Sequence, residues 1–281
     1  MGTEFFVALR GFLAAAAIGL MLPAAARAQA KPPPTAEFAD RCPGLVAADR
    51  PHVIPAALRL AGLGEDQVRL TYVGHSTFLI ESPRLVRAAT DYNGSVRPPV
   101  TPDIVTMNHA HSTHFTDRPD AAIKFVLRGW GPDGKPAEHD LTYQDVRVRN
   151  VPTNIRDWGG GTERYGNSIF VFEIAHLCIA HLGHLHHTLT QQQLNEIGRV
   201  DVVMVPVDGT YTLDLEGMVE VVQGMKAQLV IPMHYFGSFS LNRFLDRMKQ
   251  NFEVERADTP SVVLSKTTLP ASPKVLVLPG Y

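Results

Sequence analysis

The sequence predicts an α/β fold with two sheets and helices packed outside them. The first half of the chain beyond residue 60 is rich in short apolar and β-branched segments, and the second half alternates such segments with helical patterns. Once an N-terminal leader of 30 residues is set aside, 251 of the 281 residues remain. A chain of that length buries enough surface for one large domain with its own core.

The strand-rich half contains six predicted strands. Gly74-His75-Ser76 lies between the first two and is typical of a turn, because it separates two β-rich runs. The predicted strands cover residues 68–73, 77–81, 103–107, 145–151, 168–174 and 177–181.

The second half predicts helices between buried strands. Thr190 is a suitable N-cap for a helix over 191–197. Further helices are predicted over 214–227 and 241–251, and further strands over 201–207, 229–233, 252–256 and 274–278.

Residues 1–30 predict a secretory signal. An apolar run over 11–23 precedes a stretch of small residues, and Ala28-Gln29-Ala30 is the expected cleavage site. The alternative is an uncleaved N-terminal membrane anchor. We expect a protein that is periplasmic or secreted and not inserted in the membrane after cleavage, with an N-terminal extension over 31–66 and one domain over 67–281.

Charge and cysteine content narrow the class further. The net charge of the whole chain is −2, and no basic run stands out, which argues against nucleic acid as the main partner. Cys42 and Cys178 are the only cysteines. Export allows a disulfide between them, but the predicted burial of Cys178 in a strand favours an unpaired thiol.

Histidines at the ends of predicted strands indicate a metal site. His109, His111 and His114 follow the strand over 103–107, and His109 and His111 share one side if the chain stays extended. His184 and His234 follow two later strands. Strand ends gather at one edge of an α/β sheet, and neutral imidazole suits zinc and several other divalent ions.

The chain resembles the metallo-β-lactamase superfamily, and within it the branch of L-ascorbate-6-phosphate lactonase and related hydrolases. The resemblance rests on blocks that occur in the family's order over residues 68–236. They are Gly74-His-Ser-Thr-Phe-Leu-Ile80, His109 to His114, Asn167-Ser-Ile-Phe-Val-Phe-Glu173, His181-Leu-Gly-His184, Asp201 to Val207 and Ile231-Pro-Met-His-Tyr235. It implies an αββα four-layer sandwich with a metal site at the edge between the two sheets.

The resemblance also identifies departures from the family pattern. His109, His111 and His114 match the histidines of an HxHxDH motif, and His234 matches a late family histidine. Thr113 stands where the family has an aspartate, and His184 stands where the family has a carboxylate that bridges two metals. No histidine occurs in residues 151–157, where a further ligand is expected.

These departures favour one ion over two. Two divalent ions about 3.5–4 Å apart repel strongly without anionic ligands, and the expected ligands are neutral. We therefore expect a single ion held by His109, His111 and His184, with His114 or His234 as a further ligand. Zinc is the first choice from the ligand type, with manganese or iron as alternatives.

Three residues are candidates for the catalytic chemistry. Thr113 cannot act as a base at neutral pH, although it can form hydrogen bonds. Asp91 is expected to orient a ligand histidine. Asp208 either takes part in the chemistry or is a turn residue before Gly209.

The sequence thus predicts an exported metal-dependent hydrolase that acts on a small molecule through an ester, lactone, amide or phosphodiester bond. The alternative is a non-catalytic metal- or ligand-binding protein derived from such a hydrolase, because two family aspartates are replaced. The oligomeric state is not predicted.

Overall fold

The computed structural model describes residues 62–157 and 159–280. The predicted signal, the extension up to residue 61 and Cys42 lie outside the described residues. Within the part that is described, no helix has the length and apolar character needed to cross a bilayer.

The first sheet has six strands and brings the earliest predicted strands together. Its strands are β1 (Val68–Gly74), β2 (Thr77–Glu81), β3 (Arg87–Ala89), β4 (Ile104–Met107), β5 (Phe125–Arg128) and β13 (Ser261–Leu264). Their order is β13-β1-β2-β3-β4-β5, antiparallel as far as β3 and parallel from β3 to β5.

The second sheet has eight strands and contains the β-α-β part of the chain. Its strands are β6 (Asp140–Tyr143), β7 (Val146–Arg156), β8 (Thr162–Ile174), β9 (Leu177–His181), β10 (Val202–Pro206), β11 (Leu229–Met233), β12 (Glu253–Arg256) and β14 (Lys274–Val277). Their order is β12-β14-β11-β10-β9-β8-β7-β6, parallel from β12 to β9 and antiparallel beyond.

In the described residues, three α-helices accompany the second sheet: α1 (Gln191–Ile197), α2 (Leu215–Met225) and α3 (Ser238–Met248). Thr190 caps α1 through a reciprocal pair of hydrogen bonds with Gln193, and the Asp214 side chain accepts from the backbone of Gly217 at the start of α2. A short 3₁₀ turn covers Pro132–Gly134. The α3 helix begins three residues before its predicted start, and β3, β5, β6 and β13 are strands that the sequence pattern did not indicate.

Two layers of apolar packing hold the sheets in place. Leu70 and Phe78 of the first sheet share one buried cluster with Phe170, Met204 and Ile231 of the second sheet. The opposite face of the second sheet packs on side chains from all three helices. Every residue of β10 and of β11 is buried, because both faces of this sheet are covered.

The predicted α/β class and its pair of packed sheets are confirmed. In the described parts of the chain the α-helices pack on the second sheet alone. A smaller cluster of Ala89, Tyr92, Val105, Met107 and Ile123 lies on the first sheet. The prediction for Cys178 is wrong: this residue is buried in β9, as expected, but it is disulfide-bonded.

Candidate metal centre

Five imidazole rings gather where several strands end. The ring centroid of His75 lies 4.4 Å from that of His234 and 4.9 Å from that of His114. The ring of His184 lies 4.7 Å from His114, 4.9 Å from His234 and 4.8 Å from His111. We call these five residues the histidine cluster.

Three members of the cluster come close to the distances needed to share one ion. One ligand nitrogen from each of His75, His114 and His234 lies within 4.8 Å of the others, and His114 and His234 are buried. Three nitrogens bound to one zinc ion at about 2.0–2.1 Å must lie within about 4 Å of each other. The observed group is thus close to a binding geometry and needs little rearrangement.

His114 is held by a buried carboxylate. Residues 111–114 form a turn after β4, and the His114 Nδ1 atom lies 2.8 Å from Asp91 Oδ2. The other Asp91 oxygen accepts from Asn108 Nδ2, and Asn108 also accepts from the backbone of Ser168 in the second sheet. The Nδ1–H group therefore points to Asp91. The lone pair of Nε2, a buried atom without a partner in the described part of the chain, is left for a ligand.

His234 is held in the same way by Asp208. Its Nδ1 atom lies 2.9 Å from Asp208 Oδ1, directly after β11. The other Asp208 oxygen accepts backbone N–H groups of Thr210, Tyr211 and Thr212. Burial alone would raise the pKa of Asp208, but the hydrogen bonds from His234 and Thr212 outweigh it and lower the pKa. Asp208 is thus an ionised carboxylate that organises its turn and also orients a ring of the cluster.

His75 comes from the turn between β1 and β2. Its φ of 54° is in the left-handed region, and its carbonyl accepts from the Tyr72 hydroxyl and from the His234 backbone. Burial and the neighbouring His234 lower the pKa of His75 to about 4, so the ring is neutral at pH 7. From the sequence, His75 is expected in a turn and in one of the family blocks but not as a ligand, although it directly follows β1, as the other site histidines follow strands.

His184 is placed by a loop that follows β9. The backbone N–H of His184 donates to Asn167 Oδ1, and Gly183 has a φ of 61°. A Cβ atom on Gly183 would collide with the side chains of Asn108 and Asn167, so glycine is required here. The His184 Nδ1 atom lies 2.6 Å from Nε2 of His186, a neighbour outside the cluster. The Nε2 atom of His184 is buried and has no partner within residues 62–157 and 159–280.

His181 and His111 differ from the other histidines of the site. His181 Nε2 lies 2.8 Å from the Ser76 carbonyl and its Nδ1 accepts from the backbone of Gly183, so both nitrogens are engaged. His111 is partly exposed at the mouth of the cluster, 6.5 Å from the Tyr211 ring. Burial and nearby His234 lower the pKa of His111.

The structure does not bring His109 into the cluster. Its Nδ1 lies 2.8 Å from Glu163 Oε1, its ring contacts Phe115 and Trp130, and 42% of its side chain is exposed. It lines a separate cavity of about 440 Å³. The expectation that His109 and His111 share one side of an extended segment is wrong, because β4 ends at Met107 and turns follow.

Replacing His109 with glutamine is expected to leave the bound metal unchanged. The His109–Glu163 contact is largely exposed, and pairs of that kind contribute about 0–1 kcal/mol to stability. We expect the same metal content per chain as in the unmodified protein, measured by elemental analysis, and an unfolding free energy lower by about 0.5 kcal/mol. Loss of the ion in this variant would show that His109 is a metal ligand and would contradict its position outside the cluster.

Thr113 lies next to the cluster in sequence and is exposed. Its backbone carbonyl accepts from Asn93 Nδ2, and this contact fixes the turn that contains His114. Asp91 and Asp208 bind the outer nitrogens of two rings. The nitrogen atoms that face the interior of the cluster therefore belong to neutral imidazole rings.

The buried neutral rings predict an acid-sensitive fold when the metal is removed. Burial lowers the pKa of His75 and of His186 to about 4, and it also lowers the pKa of His114 and His184. The ordinary histidine pKa of about 6.5 applies in the unfolded chain. Between pH 6.5 and 4 the unfolded chain therefore binds more protons, and stability falls as the pH falls.

We expect the melting temperature of the metal-free protein to be constant above about pH 7 and to fall by about 5 °C or more between pH 7 and pH 5. Thermal unfolding with a chelator at several pH values measures it. A melting temperature that rises on acidification would contradict the neutral state of these rings.

Exposed aromatic side chains border the cluster. Phe236 is 67% exposed and its ring lies 5.2 Å from His234, while Tyr211 is 58% exposed and lies 5.8 Å from Phe236. Arg156 Nη2 donates to the carbonyls of Thr210, Tyr211 and Thr212, so it holds the segment that carries Tyr211. We call Tyr211 and Phe236 the aromatic rim.

Comparison with protein families gives a match over most of the described chain. Residues 69–234 match the family model described as a beta-lactamase superfamily domain. A relative from Methanoculleus marisnigri, named a UPF0173 metal-dependent hydrolase, is 28% identical over 201 residues, which cover 66% of this chain and 89% of the relative.

Solved structures show the same fold. A protein from Thermotoga maritima, assigned to the zinc-dependent hydrolases of the metallo-beta-lactamase superfamily, is 30% identical with a TM-score of 0.56. The match covers 75% of this chain and 98% of that protein. The metallo-beta-lactamase fold protein YhfI from Bacillus subtilis is 12% identical with a TM-score of 0.50, over 77% of this chain and 98% of YhfI, and supports the fold alone.

Proposed function

Because the chain belongs to the beta-lactamase superfamily domain family, we propose that it is a hydrolase whose single metal ion binds His75, His114 and His234. The predicted superfamily is confirmed, whereas the lactonase-like branch stays a prediction. The convergence of three imidazole nitrogens within 4.8 Å of one another is the observation that carries the proposal.

The proposed ligand set differs from the one expected from the sequence. It includes His75, leaves out His109, and keeps His111 and His184 beside the ion rather than bound to it. The neutral ligands leave the full charge of a divalent ion uncompensated, so a second ion about 3.5–4 Å away would be strongly repelled. Zinc is the first choice because three imidazoles with an open position are a known catalytic zinc arrangement, and manganese or iron are the alternatives.

The ion and the residues around it have different roles in the proposed hydrolysis. A bound divalent ion supplies a hydroxide nucleophile near neutral pH and polarises the oxygen of the bond to be cleaved. Asp91 and Asp208 keep Nδ1–H of His114 and His234 pointing outward, which holds both rings in one orientation. His111 provides a half-buried polar group at the mouth of the cluster, beside His114 and His184.

The aromatic rim favours a substrate that carries an apolar group. Tyr211 and Phe236 expose large rings beside the cluster, where they can bind the apolar part of an ester, lactone, amide or phosphodiester. The two rings are adjacent rather than scattered, and exposed apolar surface that borders polar groups is typical of a ligand-binding groove.

Metal analysis together with a substrate panel tests the proposal. We expect about one zinc per chain and hydrolysis of p-nitrophenyl butyrate or bis-(p-nitrophenyl) phosphate that a chelator abolishes and zinc restores. One zinc per chain without turnover of any ester, lactone, amide or phosphodiester would instead support the non-catalytic binding protein, which the replacement of two family aspartates by Thr113 and His184 favours. Two ions per chain would contradict the charge argument.

We also propose export to the periplasm or the medium, on the strength of residues 1–30. N-terminal sequencing of the protein from fractionated cells tests it. A mature chain that begins at Lys31 supports export with cleavage at Ala30, and an intact Met1 in the soluble cytoplasmic fraction contradicts it.

A further inference from the structure

A chain of hydrogen bonds runs behind His184. The backbone N–H of Arg156 lies within hydrogen-bond distance of His186 Nδ1, and His186 Nε2 lies 2.6 Å from His184 Nδ1. A backbone N–H group is always a donor, so the N–H of Arg156 determines which atom donates and which accepts in each of these hydrogen bonds.

The direction follows from counting protons on each ring. His186 Nδ1 accepts from Arg156, so the proton of the neutral His186 ring is on Nε2, and this group donates to His184 Nδ1. His184 then accepts at Nδ1 and has its own proton on Nε2. If the His186 proton were on Nδ1 instead, the N–H groups of Arg156 and His186 would point at each other.

The two rings beside His184 have the reverse arrangement. His114 and His234 donate through Nδ1 to Asp91 and Asp208, so their Nε2 atoms have free lone pairs. A metal ion binds a lone pair and not an N–H group. In agreement, the group of histidines within ligand distance contains His75, His114 and His234 but not His184, although the His184 ring lies 4.7 and 4.9 Å from the last two.

We infer that His184 is a hydrogen-bond donor, through Nε2–H, to the substrate oxygen bound beside His114 and His234, and is not a metal ligand. This inference rests on the proposed function for the identity of the acceptor. The His184 Nε2 atom is buried and has no partner among the described residues, and the contact of Nδ1 with His186 holds the ring, so an N–H group at Nε2 is oriented before substrate binds. A fixed donor directed at an oxygen that gains negative charge favours the transition state over the ground state.

The inference also explains the departure from the family pattern. His184 stands where the family resemblance places a carboxylate that bridges two metals. A donor at this position cannot bridge two ions, but it stabilises the negative charge that a second ion would otherwise neutralise. The series of hydrogen bonds from Arg156 through His186 to His184 thus fits a site with one metal ion.

The tautomer of His184 is the first test. Two-dimensional ¹⁵N–¹H spectra of histidine-labelled protein are recorded with and without zinc. We expect His184 protonated on Nε2 in both samples, while His114 and His234 are protonated on Nδ1. Replacement of His186 with leucine removes the donor and should allow the other His184 tautomer to appear. A His184 proton on Nδ1 in the unmodified protein overturns the inference.

A matched pair of variants provides the second test. Asparagine in His184→Asn keeps an acceptor for His186 but has no N–H at the position of Nε2, whereas glutamine in His184→Gln places an amide near that position. We expect both variants to keep one zinc per chain, with zinc dissociation constants within about threefold of the unmodified protein. The His184→Asn variant should lose about 10²–10³-fold in kcat on p-nitrophenyl butyrate, the effect of losing one oxyanion donor.

The His184→Gln variant should recover at least tenfold of that loss. Loss of zinc in both variants would show that His184 is a ligand and overturn the inference, and it would add His184 to the proposed ligand set while leaving metal-dependent hydrolysis intact. Equal kcat in both variants and the unmodified protein would overturn the donor role. If the unmodified protein neither binds zinc nor hydrolyses the ester, the proposed function fails, and the acceptor assigned here fails with it. The spectra of the metal-free protein then still decide the tautomer.

Discussion

Replacing His234 with alanine is expected to remove the metal ion and the hydrolytic activity together. His234 supplies one of only three proposed ligands, and its ring is the centre of contacts with His75, His114 and His184. Loss of an outer hydrogen-bond partner already costs about 10–100-fold in metal affinity or activity. Loss of a ligand should therefore cost more, and we expect less than about 0.1 zinc per chain and at least about 10³-fold lower kcat/KM.

The fold should survive this change, because Asp208 keeps other donors. Thr210, Tyr211 and Thr212 all donate to its carboxylate, so it is not left buried and unpaired. Circular dichroism and an unfolding curve of the metal-free proteins verify this point. The His109→Gln variant described above is the control, since it alters an exposed histidine outside the cluster. Full zinc content in His234→Ala would contradict the proposed ligand set.

Replacing Asp208 with asparagine is expected to weaken both the fold and metal binding. Asp208 Oδ1 accepts from His234 and Thr212, and Oδ2 accepts from the backbone of residues 210–212. Asparagine replaces one carboxylate oxygen with an NH₂ group. In either orientation of the amide, this NH₂ group lies against N–H or O–H groups that donate to Asp208 in the unmodified protein. Hydrogen bonds to charged groups contribute about 1.5–3 kcal/mol each, so we expect an unfolding free energy lower by about 3 kcal/mol.

Zinc affinity should fall about 10–100-fold in the same variant, because the His234 ring loses the group that orients it. Urea unfolding of the metal-free protein and zinc titration measure the two effects separately. Asp117→Asn is the matched control: Asp117 is an exposed aspartate, and its change should alter the unfolding free energy by no more than about 0.5 kcal/mol. Unchanged stability and unchanged affinity in Asp208→Asn would contradict the contacts assigned to this carboxylate.

The gap between sequence and structure is clearest in the histidines after β4. The sequence places His109, His111 and His114 together, and a strand-like chain would direct the first two to one side. The strand ends at Met107, and the His109 backbone instead donates to Gly166 of the second sheet. Alternation of side chains holds only within a strand, so the position of His109 depended on contacts with distant residues.

His75 shows the opposite case. Its place directly after β1 is a weak signal, because its partners in the cluster are 39 and 159 positions away in the sequence, at His114 and His234. The backbone N–H of His234 donates to the carbonyl of His75, which joins the ends of β1 and β11 from different sheets. Only the packing of one sheet on the other brings these two rings together.

The sequence by itself determined the order and type of the main elements, because apolar periodicity and capping residues report locally on which side of each segment is buried. It also located most of the site residues at strand ends. The tertiary structure decided which imidazoles converge, which nitrogen each directs inward, and that Cys178 forms a disulfide. Those properties depend on loop conformations and on hydrogen bonds between segments far apart in the chain, such as Arg156 with His186 and Asp91 with His114, and no local pattern encodes them.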